Sequence, residues 1–263
     1  MGLVPVPTVT SRDGTVIAFD RTGEGPPVVL VEAAAHYRAF SSFGGLAPLL
    51  ARELTVYTYD RRGRGESTDR PPYSPDREVE DLEALIVEAG GSARVYGYSS
   101  GALLALRAAA CSLPISRLAV LEPPLQDEAK ELDQGSDLTR ELGELVAMGR
   151  GGDAVEHFHH SIGVPSELVA ELRSTREWAA MEAVAATLVY DCIISDSTTP
   201  ALVRAVDLPT LVMDSQGSSD DLAGWAAAVA AQLPHATHRS LPGAWHGIPD
   251  EVLAPALLEF FRG

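Results

Sequence analysis

Ala93-Arg94-Val95-Tyr96-Gly97-Tyr98-Ser99-Ser100-Gly101-Ala102-Leu103-Leu104 is the stretch that decides the fold. Residues 93–98 predict a strand, and the small and apolar residues 101–110 predict a helix that follows with almost no linker. A serine at such a junction sits in a tight, strained turn with its hydroxyl exposed. The residues two before and two after it must be small for helix and strand to pack closely, and here they are Gly97 and Gly101. This is the setting of a nucleophile; the plain alternative is an ordinary glycine-rich strand-to-helix turn.

Outward from this point, strand and helix patterns alternate. Residues 8–20 predict two short strands around a turn at Asp13-Gly14. Residues 27–31, Pro-Val-Val-Leu-Val, form a continuous apolar run, as a strand covered on both faces does. Helical spacing follows over 46–54, a strand over 54–59, and a helix over 76–89 opened by Ser74 or Asp76 and closed at Gly90-Gly91. Residues 117–121, 209–213 and 237–241 predict further strands, and 251–261 a last helix. Such alternation demands crossover connections, hence an α/β fold with a mostly parallel central sheet flanked by helices. Between Pro123 and Asp207 the pattern is helical without a convincing strand, over 138–148, 166–173 and 177–190. The expected organisation is a core of residues 1–122 and 208–263 with a helical lid, residues 123–207, inserted over the carboxyl edge of the sheet.

The 263 residues are 46% hydrophobic, enough for one large core, and 20 basic against 37 acidic residues leave a net charge of −17. That balance opposes binding to nucleic acid, which needs clustered Lys and Arg. No apolar stretch approaches the ~20 residues of a membrane span, and residues 1–7 lack the basic head and apolar run of a signal peptide. The expectation is a cytoplasmic protein, monomer or homodimer, that acts on a small molecule without a cofactor. Its two cysteines, Cys111 and Cys192, are expected to be buried free thiols.

The chain resembles the α/β-hydrolase superfamily over nearly its whole length. The resemblance rests on the Gly97–Gly101 pattern, on Asp60-Arg61-Arg62-Gly63-Arg64-Gly65-Glu66-Ser67 after the fourth strand, and on the lid after the sixth. Small actinobacterial members of unassigned substrate are the nearest in character. The resemblance implies that Ser99 is the nucleophile and that His246, in Pro242-Gly243-Ala244-Trp245-His246-Gly247, is its general base, since an imidazole can take the serine proton and return it. Two carboxylates compete as the acid that orients the histidine. Asp220 lies near the usual place after the seventh strand. Glu122, favoured here, closes the sixth strand, from which haloalkane dehalogenases take theirs. Where the superfamily has His-Gly after the third strand, this chain reads Val31-Glu32-Ala33-Ala34-Ala35-His36. The N–H groups of Ala34 and Ser100 could still form an oxyanion hole. Glu32 would oppose an oxyanion unless it is protonated, pairs with Arg61 or Arg62, or serves as an acid/base itself.

Tyr98, Trp178, Met181 and Tyr190 are candidate substrate contacts, with plain core as the alternative. Arg61, Arg62 and Arg64 are expected to pack against carboxylates rather than bind an acidic substrate. Glu182 and Asp191 are expected to face solvent or cap helices. His157, His159 and His160 lack ligand-spaced partners for a metal. Three functions follow: a serine hydrolase of an ester, lactone or thioester of a small apolar molecule; a lyase or cyclase of the same fold working on a natural-product intermediate; and an inactive ligand-binding relative.

Overall fold

A run such as Pro-Val-Val-Leu-Val can be a strand only where both its faces are covered, and the fold provides both covers. The computed structural model describes residues 5–125 and 134–263. The hairpin β1 (Thr8–Thr10) and β2 (Val16–Thr22) leads into β3 (Pro27–Val31), α1 (Leu46–Leu50), β4 (Thr55–Tyr59), α2 (Pro75–Glu88), β5 (Ala93–Tyr98), α3 (Ser100–Ala110) and β6 (Ile115–Leu121). A helical segment follows: α4 (Gln134–Ala147), α5 (Gly151–Ser161), α6 (Ser166–Leu172), α7 (Arg176–Ala183), a 3-10 turn (Ala185–Thr187), α8 (Leu188–Ser197) and α9 (Pro200–Arg204). The chain then returns to the sheet with β7 (Thr210–Ser215), α10 (Asp220–Gln232), β8 (Ala236–Leu241) and α11 (Asp250–Arg262).

The strand order is β1-β2-β4-β3-β5-β6-β7-β8. The pairings β1–β2 and β2–β4 are antiparallel and every other one is parallel. Alternate residues of the central strands feed opposite cores. Val29, Val31, Val95, Val120 and Val212 pack with α2, α3 and α10. Val28, Leu30, Tyr96, Leu121 and Met213 pack with α1 and α11 on the other side. The inserted helices have a core of their own, built around Leu142, Val155, Trp178, Met181 and Leu188. Among the described residues, no single helix is long and apolar enough to cross a membrane.

Two details differ from the sequence reading. Residues 220–232, to which no helix is assigned from the sequence pattern, form α10, whose first turn holds Asp220 and Asp221; carboxylates there face the positive end of the helix dipole. Cys192 is buried but Cys111, at the C-terminal end of α3, is exposed, and both are free thiols.

The strand-to-helix turn after β5 fits against the end of β3 with no room to spare. A Cβ on Gly101 would stand 2.3 Å from the Val31 carbonyl oxygen and 2.5 Å from that of Glu32, both rigid backbone. Gly101→Ala should therefore cost about 1–3 kcal/mol by overpacking, read as a lower urea midpoint at unchanged slope; an unchanged midpoint would show that the two segments can part freely.

Candidate active site

Four of the candidate residues stand past the carboxyl ends of strands: Glu32 after β3, Ser99 after β5, Glu122 after β6 and His246 in the loop after β8. In open α/β sheets this edge is where ligands bind. Ser99 (φ 53°), Glu122 (φ 44°), His246 (φ 52°) and Ala35 (φ 59°) all have left-handed backbone, and Ser112 is the one other described non-glycine residue that does. Each such conformation costs on the order of 1–3 kcal/mol and persists only where the surroundings hold it.

Those surroundings can be traced bond by bond. The Ser99 N–H donates to the Leu121 carbonyl at 3.0 Å, and the Ser99 carbonyl accepts from Ala102 at 2.9 Å. His246 is held at three points: its N–H donates to Ser218 Oγ at 3.0 Å, its carbonyl accepts from the Tyr98 hydroxyl, and its Nδ1 donates to Glu122 Oε2 at 2.5 Å. Glu122 is 0% exposed, and its other oxygen accepts from the Ser215 N–H at 2.8 Å and Ser218 Oγ at 2.6 Å. Burial alone would raise the Glu122 pKa, but the hydrogen bonds from His246, Ser215 and Ser218 outweigh it and hold the carboxyl below its ordinary range. With Nδ1 committed, Nε2 is the ring nitrogen left for chemistry.

Of the two competing acids, Glu122 is the one that meets the imidazole. Asp220 sits exposed in the first turn of α10. Asp214, at the end of β7, is bound by His238 Nε2 and Ser240 Oγ of β8, both at 2.6 Å.

Ser99 and His246 line one cavity of about 240 Å³, with Ala34 and Ser100 also in its wall. Among the described residues no hydrogen bond joins Ser99 Oγ to the imidazole, and none takes up the N–H of Ala34 or of Ser100. Contacts of the first kind commonly tighten only in the Michaelis complex. Tyr98 and Met181 line the cavity too. Trp178 and Tyr190 do not: Trp178 is packed inside the inserted helices, while Tyr190 stacks on Tyr73 at 3.8 Å and donates to Asp69. In their place the wall carries His36, His159, Trp225 and Trp245. Trp225 belongs to the unanticipated α10; an apolar pattern running through 222–229 was its available signal.

Glu32 is buried but pairs with neither Arg61 nor Arg62. Its carboxylate accepts from Ser41 Oγ at 2.5 Å, from the Ser42 N–H at 3.1 Å and from Ser42 Oγ, away from the cavity wall. Burial raises its pKa, against the lowering pull of His36, the two serines and Arg64. The arginines do pack on carboxylates. Arg61 forms a two-pronged pair with Glu78, and Arg62 forms another with Asp81. Arg61 and Arg64 also both reach Asp191, at 2.7 and 2.6 Å. Asp191 is thus buried rather than solvent-facing, whereas Glu182 is exposed. His157 meets Glu141 at 2.8 Å, and His159 Nδ1 donates to the Val155 carbonyl at 2.7 Å.

The chain is similar to known proteins over most of its length. The chain is 46% identical to an alpha/beta hydrolase of known structure from Sphaerobacter thermophilus, covering 97% of this chain and 100% of that one at a TM-score of 0.89. It is 33% identical over 107 residues to N-formylmaleamate deformylase of Pseudomonas putida, a match that spans 39% of each chain. The enol-lactonase of Burkholderia xenovorans shares the fold at a TM-score of 0.72 and 17% identity, over 98% of this chain and 100% of that one. Residues 28–256, which carry every strand from β3 onward and all four positions at the sheet edge, match the alpha/beta hydrolase family, and to that family this chain belongs.

Proposed function

We propose that the chain is a serine hydrolase that cleaves an ester, lactone or thioester of a small, largely apolar molecule through an acyl-serine intermediate. The observation that carries this reading is the 2.5 Å hydrogen bond from His246 Nδ1 to the buried Glu122, which leaves Nε2 for the serine proton. Ser99 Oγ attacks the carbonyl carbon as His246 Nε2 takes its proton, and Glu122 stabilises the imidazolium. The N–H groups of Ala34 and Ser100 receive the developing oxyanion. Collapse of the intermediate returns the proton to the leaving group, and water then repeats the cycle on the acyl-serine. In this reading the inserted helices are a lid, whose Phe158, Ile162, Val164 and Met181 give the acyl cavity its apolar wall. We add an N-formyl amide to the candidate substrates beside esters and lactones, because part of the chain is similar to N-formylmaleamate deformylase.

Glu32 acts here as a scaffold rather than as an acid/base, because both of its oxygens are occupied by Ser41 and Ser42.

With p-nitrophenyl acetate and butyrate, Ser99→Ala should bring turnover to background, and Glu122→Gln should lower kcat by roughly 10³–10⁴-fold by favouring the wrong tautomer. Asp220→Asn should stay within about twofold of wild type. Retained turnover in the Ser99 variant, or an Asp220 variant as impaired as the Glu122 one, would sink the scheme. The scaffold role has its own signature. A carboxyl whose pKa rises on folding contributes stability that is present below its unfolded value of about 4.3 and is lost as pH rises through the folded value. Burial raises the Glu32 pKa and Glu32→Gln removes that titration, so the Tm difference between variant and wild type should move in the variant's favour as pH rises from the ordinary carboxyl range. A difference independent of pH would contradict it.

A further inference from the structure

The segment after β3 is held by its carbonyls. Arg61 donates to the Glu32 carbonyl at 3.2 Å, and Arg64 donates to those of Ala33 and His36 at 2.7 and 3.1 Å. A trans peptide unit is planar, with its C=O and the next N–H pointing in opposite directions. Fixing the Ala33 carbonyl on Arg64 therefore turns the Ala34 N–H to the opposite side, and Ala34 belongs to the cavity wall that holds Ser99. The second free donor, the Ser100 N–H, lies in the first turn of α3, where helix geometry leaves it without a partner. Its own side chain is tied down: Ser100 Oγ donates to Asp191 Oδ1 at 2.8 Å.

We propose that Asp191, on the inserted helix α8, is a positioning residue that sets both arms of the oxyanion hole at once, directly through Ser100 and indirectly through Arg64 and Arg61. The proposal rests on the acyl-serine reading above. Its geometry is specific. One oxygen of Asp191 takes Ser100 at 2.8 Å and Arg61 at 2.7 Å, and the other takes Arg64 at 2.6 Å. Arg61 has a second carboxylate in Glu78, whereas among the described residues Arg64 pairs with no carboxylate but Asp191. Removing that charge leaves a guanidinium that is 1% exposed without its counter-ion, a situation that a buried cation relieves by moving. The Ala33 carbonyl moves with it, and the Ala34 N–H loses its aim. Two guanidiniums, Arg61 and Arg64, face two carboxylates, Glu78 and Asp191, so the cluster orients peptide dipoles without setting a net negative charge behind the oxyanion. Asp191 also contributes to the cavity wall, which puts the acyl group and the oxyanion donors in contact with the same helix. The insertion thus supplies part of the catalytic geometry as well as a cover.

The test uses the full chain with p-nitrophenyl butyrate as substrate and n-butylboronic acid as a mimic of the tetrahedral intermediate. Asp191→Asn should lower kcat by roughly 10²-fold, the scale of a lost oxyanion donor, with KM within about threefold and boronate affinity falling in parallel with kcat. Ser100→Ala, a small change that cuts only the direct arm, should cost about tenfold in kcat, and added to Asp191→Asn it should cost little more, since the two act through one carboxylate. A higher KM with kcat and boronate affinity unchanged would mean that Asp191 merely shapes the cavity, and would overturn the proposal. If Asp191→Asn does not fold, wild-type kcat in Ser100→Ala overturns it instead. Wild-type protein that neither binds the boronate nor reacts at Ser99 with a fluorophosphonate overturns the acyl-serine reading and this assignment together. A reactive wild type whose Asp191→Asn variant binds the boronate equally well overturns the assignment alone.

Discussion

The machinery depends on a backbone contact without a side chain in it: Gly101, at the start of α3, pressed against the carbonyls of Val31 and Glu32 at the end of β3. An oxyanion hole built from two chain segments needs their N–H groups within about 3 Å of one atom, so the segments must touch. Gly97, against which the Gly101 carbonyl and Ala102 are packed, makes the same allowance on the strand side. Any side chain at either position would separate the arms. The serine between them has a φ of 53°.

Closeness brings a problem of orientation, and buried charge answers it. Arg61, Arg62 and Arg64 are each 1% exposed, an unusual density of buried cations. Replacing such a cluster by apolar residues often leaves stability unchanged or improves it, so stability alone is a weak reason for its presence. What apolar residues cannot do is hold a carbonyl in a chosen direction. Arg61 and Arg64 hold three of them between residues 32 and 36. Arg62 faces the other way, pairing with Asp81 and Asp13 and fastening the turn after β4 to α2 and to the β1–β2 hairpin.

Much of this was legible in the residues. The apolar run at 27–31 reads as a doubly covered strand and those at 93–98 and 117–121 as strands, and they are β3, β5 and β6 to within two residues. Ser99 and His246 could be placed because a glycine-flanked turn and a post-strand loop are local signals. Asp191 is misjudged because its partners lie far off in sequence, whereas Glu32 finds its partners close by, in Ser41 and Ser42, rather than in an arginine. Asp191 is 130 residues from Arg61 and 91 from Ser100, and no periodicity carries such a pairing. Trp178 lies on the right segment but the wrong face, since the insertion has a core of its own to fill, and Tyr190 turns instead to stack on Tyr73 and bond Asp69. Helix α10 has no counterpart in the sequence pattern because Asp220, in its first turn, is weighed only as a candidate acid.

Under the proposed reading, the choice of acid shows how a missing residue can be read in the residues that replace it. In the superfamily the loop after the seventh strand usually supplies the carboxylate. In this chain Asp214 is engaged within the sheet by His238 and Ser240, and the following residues carry hydrogen-bond donors instead. The Ser215 N–H and the Ser218 hydroxyl both point to Glu122, and the same Ser218 oxygen accepts from the His246 N–H. A carboxylate after β6 would be costly to bury alone. The loop after β7 makes that position tenable by solvating it, and by bonding to His246 it fixes the distance between base and acid. The buried glutamate at the end of β6 and the donor loop at the end of β7 thus belong together, since the loop supplies the hydrogen bonds that the buried carboxylate needs.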